Sequence, residues 1–409
     1  MSATAPASPG LAVAGEGGAA PALRCRLVTD APGLDALGPT WEALEALDPE
    51  CVPFNAYRWN RAWWAHYGRP EALRVVVIED GDGRAVGIAP FHLVREREAR
   101  VLSVPALRFL GSGGDTSPDY LGVIADPARR AAVVERALEA VFAMPEWRTL
   151  RLSDLRAGSV LDRLAPARFA RSRGTARPVH VKRVYVADLP DSWQAFRAAL
   201  PIKRRKQLNH RRNRLRAAGE ARLSIAEDAA GRARAFEALA RLHRARWRSK
   251  GGPGKFETEA YLGFHRDVIE RFAARGETWL VTLELDRVII GVLYLFRWRE
   301  ELLFFQSGFS PAHEALSPGH VLFGWTFEEA IRRGVKRADM LKGEYAYKRA
   351  WARRETFLHD RTFHRPGPAA WAATLRRALP GAGAARARAE PARTGPPGRP
   401  ADASTSDHP

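Results

Sequence analysis

Between residues 338 and 351 the chain reads ADMLKGEYAYKRAW, which sets a carboxylate, two phenols and an ammonium side by side at Glu344, Tyr345, Tyr347 and Lys348. These are the residue types of acid–base chemistry. Glu344 can take a proton from an amine or hydroxyl nucleophile, Tyr345 or Tyr347 can return one to a leaving group, and Lys348 can hold a phosphate or carboxylate. As a solvated helical pair four residues apart, Glu344 and Lys348 would contribute only ~0.3–0.5 kcal/mol. What raises them above that is the stretch one helix earlier, FFQSGFSPAHEALSPGHVLFGWTFEEAI. It reads as a strand, a loop with Ser317, Pro318 and Gly319, and a helix whose first amides face outward. Gly319 admits a ligand close to the backbone, Pro318 fixes the helix entry, and the free N–H groups favour phosphate.

Two further stretches carry charge or aromatic rings. IKRRKQLNHRRNRLR (202–216) holds eight Lys and Arg from Lys203 to Arg216 and no acidic residue. Its narrow stripe of Ile202, Leu208 and Leu215 leaves most of a helix in water, as a solvated face or an edge for an anionic substrate. Aromatics for base stacking are missing, which speaks against nucleic acid. The next helix carries Phe236, Leu239, Ala240, His243 and Trp247 on one face. Arg246 and Arg248 flank Trp247, and SKGGPGKF (249–256) reads as a mobile cover for a pocket or an ordinary surface loop. His359 and His364 have the wrong spacing for a shared face, so no metal site is expected. GSGG at 111–114 follows a strand, but no helix follows it directly, as a nucleotide fingerprint requires.

The elements that must position these residues come in an order that repeats. The first half reads as strand 23–28, helices 33–47 and 55–67, strands 73–79 and 84–94 joined by a DGDG turn, and a strand ending at residue 111. A loop at 112–119, a helix at 127–143 and a strand at 147–155 complete it. The second half reads as a helical region over 191–250, a helix over 258–275, and antiparallel strands 278–285, 288–298 and 302–309. The loop 310–319, a helix stopping at Gly334 and the strand 337–341 follow. Helices, meander, loop, helix, strand: this is a duplicated α/β unit. If strands 302–309 and 337–341 are neighbours, the Ser317 loop and the Glu344–Lys348 cluster reach the same end of the sheet, where α/β units bind ligands.

Length and composition set the frame. The 409 residues, 46% hydrophobic with 12 Trp and 18 Phe, suit two domains with real cores. The formal charge of +19 comes mostly from Arg and fits either an Arg-decorated surface or attraction to a polyanion. Cys25 and Cys51 form no CxxC, so neither a disulfide framework nor a thiolate metal site is expected. Residues 1–22 and 380–409 are rich in Ala, Gly, Pro and Ser and are expected to be disordered. The N-terminus has no signal-peptide pattern and no apolar run reaches the ~20 residues of a membrane span, so a cytoplasmic protein without a transmembrane segment is expected.

Three stretches in order, KRRKQLNHRRNRLRAAGEARL with ALARLHRARW, then FFQSGFSPAHEALSPGHVL, then ADMLKGEYAYKRAW, resemble the motifs of the CelD/BcsL-type acetyltransferases of the GNAT superfamily. Their layout is similar to that of the FemAB aminoacyl transferases, with tandem GNAT-like domains. The resemblance covers about 190–365 in motifs and 23–185 in layout. It implies an α/β (α+β) fold of two GNAT-like domains, each a mostly antiparallel mixed sheet flanked by helices. The domains would be 23–185, structural or acceptor-binding, and 186–370, catalytic. It implies transfer of an acyl group from acyl-CoA, such as acetyl-CoA, to a small-molecule or saccharide amine or hydroxyl, in polysaccharide or cell-envelope metabolism, without a metal. Strands 302–309 and 337–341 would splay, with Gln306, Ser307 and Gly308 lining the cleft. Ser317, Pro318, Gly319 and His320 would form the phosphate loop, although SPGH stands where single-domain members carry RxxGxG/A. Glu344 would be the base and Tyr347 the proton donor, with Lys348, His243, Trp247 and Tyr345 shaping the acceptor pocket. The runners-up are a Fem-like transferase using aminoacyl-tRNA, which the basic helix favours, and a non-catalytic binding protein of an exopolysaccharide system; peripheral association with an anionic membrane is compatible with all three readings. Against tRNA, residues 202–250 are accounted for without the long helical arm of the Fem enzymes.

Overall fold

The structure is a computed structural model that describes residues 23–98, 102–172, 174–248 and 254–367. The tails expected to be disordered, 1–22 and 380–409, and positions 249–253 of the expected pocket cover lie outside the described residues.

In chain order the first half contains β1 (Arg24–Val28), α1 (Ala31–Ala36), α2 (Gly38–Leu47), α3 (Tyr57–Tyr67), β2 (Leu73–Glu79), β3 (Ala85–Glu98) and β4 (Leu102–Phe109). The short β5 (Ile124–Ala125), then α4 (Arg130–Ala143), β6 (Thr149–Arg156), α5 (Val160–Ala170) and the short β7 (Thr175–Ala176) follow. The helix expected over 33–47 is two helices. Leu37 ends the first, with its N–H bonded to Gly33 and Leu34 carbonyls, and Pro39 starts the second, because a proline ring fits the first turn of a helix and not its interior.

The second half begins with β8 (His180–Asp188), α6 (Trp193–Ala199), α7 (Ile202–Ala218), β9 (Ala221–Ile225), α8 (Ala229–Arg248) and α9 (Glu259–Ala273). The region expected to be helical over 191–250 is thus interrupted by a strand. Gly219, at φ 156°, stops α7, and Asp286 accepts the Glu220 N–H at 2.8 Å to hold ARLSI beside the next strand. There follow β10 (Thr278–Leu285), β11 (Val288–Trp298), β12 (Glu301–Phe309), α10 (Pro318–Arg332), β13 (Arg337–Lys342), α11 (Ala346–Trp351) and β14 (Arg354–His364).

These strands make one continuous, mostly antiparallel sheet in the order β1-β2-β3-β4-β6-β14-β8-β13-β12-β11-β10-β9, with β5 on β3 and β7 on β14. The order is a palindrome of the two halves. An antiparallel meander ends in each half in one parallel pair, β4 with β6 and β12 with β13. Between them the strands that follow each unit are exchanged: β8 pairs with β13, and the C-terminal β14 pairs with β6 as well as with β8. The boundary expected at 185/186 falls inside β8.

Apolar residues alternate along β10–β13 between two cores, as a period of two demands. Tyr294, Phe305 and Leu341 pack with α8, α9 and the first half, while Phe304, Phe323, Met340 and Trp351 pack with α6, α7 and α10. No helix among the described residues is long and apolar enough to cross a membrane.

Candidate functional site

The parallel ladder of β12 and β13 is short. It pairs Glu301 with Arg337, Leu302 with Ala338 and Leu303 with Asp339, and then stops, although both strands continue. A register shift between Tyr294 and Leu295 of β11, opposite Gln306 and Phe304, leaves Phe305 as the extra residue of a bulge in β12 at that point. Bulges bend a strand and increase its twist. The two strands diverge from there, and a cleft of about 430 Å³ opens between them.

Backbone polar groups in such a gap must find partners elsewhere. On β13 side chains supply them. Asp339 accepts the Leu341 N–H at 2.7 Å, and Asp119, from the first half, accepts the Lys342 N–H at 2.6 Å. The Lys348 ammonium, 4% exposed, donates to the Leu341 and Lys342 carbonyls at 2.7 Å each. Leu341 itself takes φ 55°, a conformation a γ-branched residue adopts only where its surroundings impose it. The divergence is therefore built in.

The cleft passes through the sheet. On the α10 face its walls are Phe304, Phe323, Met340, Tyr347 and Trp351; on the α8 face they are Phe305, Leu341, His243, Arg246 and Trp247. Tyr345 and Tyr347 stack with ring centroids 5.6 Å apart, and Tyr347 packs on Phe323. The Trp247 indole N–H donates to His243 Nε2 at 3.0 Å, which fixes the imidazole plane against the cleft. At the mouth stand Ser317, Pro318, Gly319 and His320. Ser317 is the N-cap of α10 in the left-handed conformation, and its side chain makes no capping bond, so the dipole end of a 15-residue helix is presented without a side-chain cap. Burial, and after it the charges of Arg211 and Arg204, press the His320 imidazole down to about 4. It is neutral near pH 7.

Of the residues singled out in the sequence, Gln306, Ser307, Ser317, Pro318, Gly319, His320, His243, Trp247, Tyr345, Tyr347 and Lys348 all line this one cleft. Gly308 and Glu344 are not among the lining residues. Gly308 faces α8, where an added Cβ would lie 3.1 Å from the Leu239 carbonyl oxygen and from Leu242 Cβ. Glu344 is exposed and bears electrostatically on Arg183 of β8. His359 and His364, on β14, bond to Asp162 and Thr149 at 2.9 and 3.0 Å.

The first half adds residues that sequence reasoning did not assign. Ser117 and Asp119 line the cleft, and Lys255 at its edge donates to Ser117 Oγ and to the Asp115 carbonyl. Asp115, Ser117 and Tyr120 all have positive φ, and such conformations gather at functional loops. Asp119 is 1% exposed and lies 3.1 Å from Lys342 Nζ, which also meets Asp154 at 2.8 Å. Tyr120 donates to Asp339 at 2.6 Å, and burial, the largest influence, pushes the Asp339 carboxyl above its ordinary value. The DTSPDY run was the available signal: two acids and a proline in a loop directly after a strand end.

Residues 203–349 match the family model described as the acetyltransferase (GNAT) domain. No curated protein matches the chain. Among solved structures, one titled FemX aligns with a TM-score of 0.57 at 9% identity, over 87% of this chain and 99% of that one. A protein of unknown function from Bacteroides thetaiotaomicron aligns at 0.51 with 10% identity, over 84% and 100%. The C-terminal domain of a putative lysylphosphatidylglycerol synthetase from Agrobacterium fabrum aligns at 0.50 with 11% identity, over 84% and 96%. At these identities the likeness is one of fold.

Proposed function

We propose that the protein is an acyltransferase that moves an acyl group directly from a CoA thioester to an amine or hydroxyl, with a saccharide as the acceptor class. The observation that carries this reading is the slot between β12 and β13, held open by side chains and ending at the uncapped start of α10. A slot with one phosphate-favouring end and aromatic walls suits a thin carrier arm with a phosphorylated tail. The acetyltransferase match over 203–349 supports the same chemistry.

The thioester would enter from the α10 face and the acceptor from the α8 face, meeting where the sheet is parted. The acceptor nitrogen or oxygen attacks the thioester carbon, its bond to carbon forms, and the carbon–sulfur bond breaks. Orientation of the two reactants supplies much of the rate, and a β12 amide past Leu303 would polarise the carbonyl oxygen. The acceptor's proton goes to Asp119, a buried carboxylate on the cleft wall that lies 3.1 Å from the Lys342 ammonium. Glu344, expected in that role, lies exposed and off the wall. Tyr347 gives its proton to the departing thiolate and regains one through solvent. His243, Trp247 and Tyr345 hold the acceptor.

Titration calorimetry with CoA tests the donor, with micromolar affinity expected. Binding of tRNA that weakens with salt, without CoA binding, would replace CoA by an aminoacyl carrier. Asp119→Asn is expected to lower kcat roughly 100-fold or more while CoA affinity stays within a few-fold, and Glu344→Gln to leave kcat within about twofold. The reverse pattern, with Asp119→Asn folded by circular dichroism, would return the base to Glu344.

A further inference from the structure

Helix α7 has no place yet in this chemistry. Its inward face carries Arg204, Leu208, Arg211 and Leu215, at i, i+4, i+7 and i+11. Leu208 and Leu215 are buried, and Leu208 Cδ2 lies 3.3 Å from where a Cβ on Gly324 would stand, so α7 crosses α10 closely. One turn before Gly324 on α10 is His320, at the cleft mouth. The Arg204 guanidinium lies 5.5 Å from the Trp351 ring of the cleft wall. Both arginines are near enough to His320 for their charges to depress its basicity.

On the same helix Arg212 does have an acidic partner: it pairs with Glu328 at 2.5 Å and lies 5.9 Å over Trp193. Arg204 and Arg211 have no carboxylate partner among the described residues, and Arg211 Nη1 is buried without a hydrogen bond. Burial depresses the basicity of both, and Arg211 depresses that of Arg204 further. Two neighbouring, half-desolvated cations without an anion are a standing cost in the free protein. An anion at this point would remove it.

We propose that Arg204 and Arg211 bind a phosphate group of the acyl donor where the cleft opens beside Ser317–His320. This rests on the CoA reading and deepens it: the basic helix selects a nucleotide-bearing thioester over a bare pantetheine thioester. A guanidinium pair suits phosphate because each fork can make two parallel N–H···O bonds.

The test compares CoA with S-acetyl-pantetheine, which carries no phosphate. Arg211→Gln and Arg204→Gln are each expected to weaken CoA binding about ten- to a hundredfold, to leave kcat/KM for S-acetyl-pantetheine within twofold, and to reduce the salt dependence of CoA affinity. Arg211→Lys should keep part of the affinity that Arg211→Gln loses. The thermal midpoint of the free variants should be no lower than that of the parent protein. CoA affinity unchanged in both Gln variants overturns the proposal, as does an equal loss for both thioesters with a lowered midpoint, which would make the arginines structural. A parent protein that binds CoA while its variants do the same sinks this inference alone; one that binds no CoA sinks the functional reading with it.

Discussion

Removing the Lys348 ammonium would strip two carbonyls at the end of β13 of their donor, and that is how its role can be separated from catalysis. Its Nζ is spent on Leu341 and Lys342 oxygens, with the Tyr345 ring 5.2 Å away. Lys348→Met keeps the aliphatic stem and loses the bonds, which should destabilise the fold by about 2–3 kcal/mol. It should also weaken CoA binding by letting the slot edge collapse. Urea unfolding with CoA titration checks this; a variant of unchanged stability but reduced kcat would make Lys348 a catalytic group instead. The sequence could show that Lys348 lay close to the chemistry, since its neighbours Tyr345 and Tyr347 are residue types with a proton to give. It could not show that the ammonium faces backbone while Glu344, four residues earlier, faces water. That choice is made by Leu341 at φ 55° and Gly343 at φ 115°, which turn the chain between strand and α11, and no periodicity encodes such a turn.

At the scale of elements, the acceptor side of the cleft depends on how closely α8 lies on β12. Gly308 sets that distance: a Cβ there would meet Leu239 O and Leu242 Cβ, both at 3.1 Å. Because α8 also carries His243 and Trp247, Gly308→Val should push both away from the cleft, at a cost of about 1–3 kcal/mol from overpacking. Acceptor KM is then expected to rise several-fold with CoA affinity nearly unchanged. A steady-state comparison decides it, and equal losses for donor and acceptor would mean that the slot itself had moved. Long apolar elements were legible because burial writes its period into them: β10, β11 and α10 match the expected 278–285, 288–298 and a helix ending at Gly334 within a residue or so. Strands built on distant partners were not. β14, RETFLHDRTFH, is charged on several positions and takes its place through β6, β7 and β8, all far earlier in the chain. β9 was hidden in a helix-rich neighbourhood for a similar reason, being short and half-buried at a sheet edge.

Taken whole, the molecule depends on the join between its halves, because the first supplies Asp119 and Ser117 to a cleft built on the second. The repeat of elements was readable, but the exchange of β8 and β14 leaves no local trace in sequence. Part of the join lies where α2 and α3 meet the second half. There Arg58 is buried between Glu45 at 3.5 Å and Glu277 at 3.0 Å, and Arg299 donates to the Glu45 and Asp48 carbonyls at 2.8 Å. Burial, only partly offset by Arg58, lifts the Glu45 carboxyl from 4.5 to about 7, and burial raises Glu277 in the same direction. A carboxyl whose value is raised by folding keeps its proton longer in the native state than in the unfolded chain. Its contribution to stability is therefore full below about 4.5 and falls as pH rises through about 7. For Glu45 the span corresponds to roughly 3 kcal/mol at most. Glu45→Gln holds the neutral form at every pH and still accepts the Tyr57 N–H, which Glu45 takes at 3.0 Å. The variant is expected to match the parent near pH 4, to exceed it in urea midpoint at pH 8, and to show a flatter profile between. A variant less stable than the parent at pH 8 would mean that attraction to Arg58 outweighs desolvation, and that the join is held by a charged pair rather than strained by one.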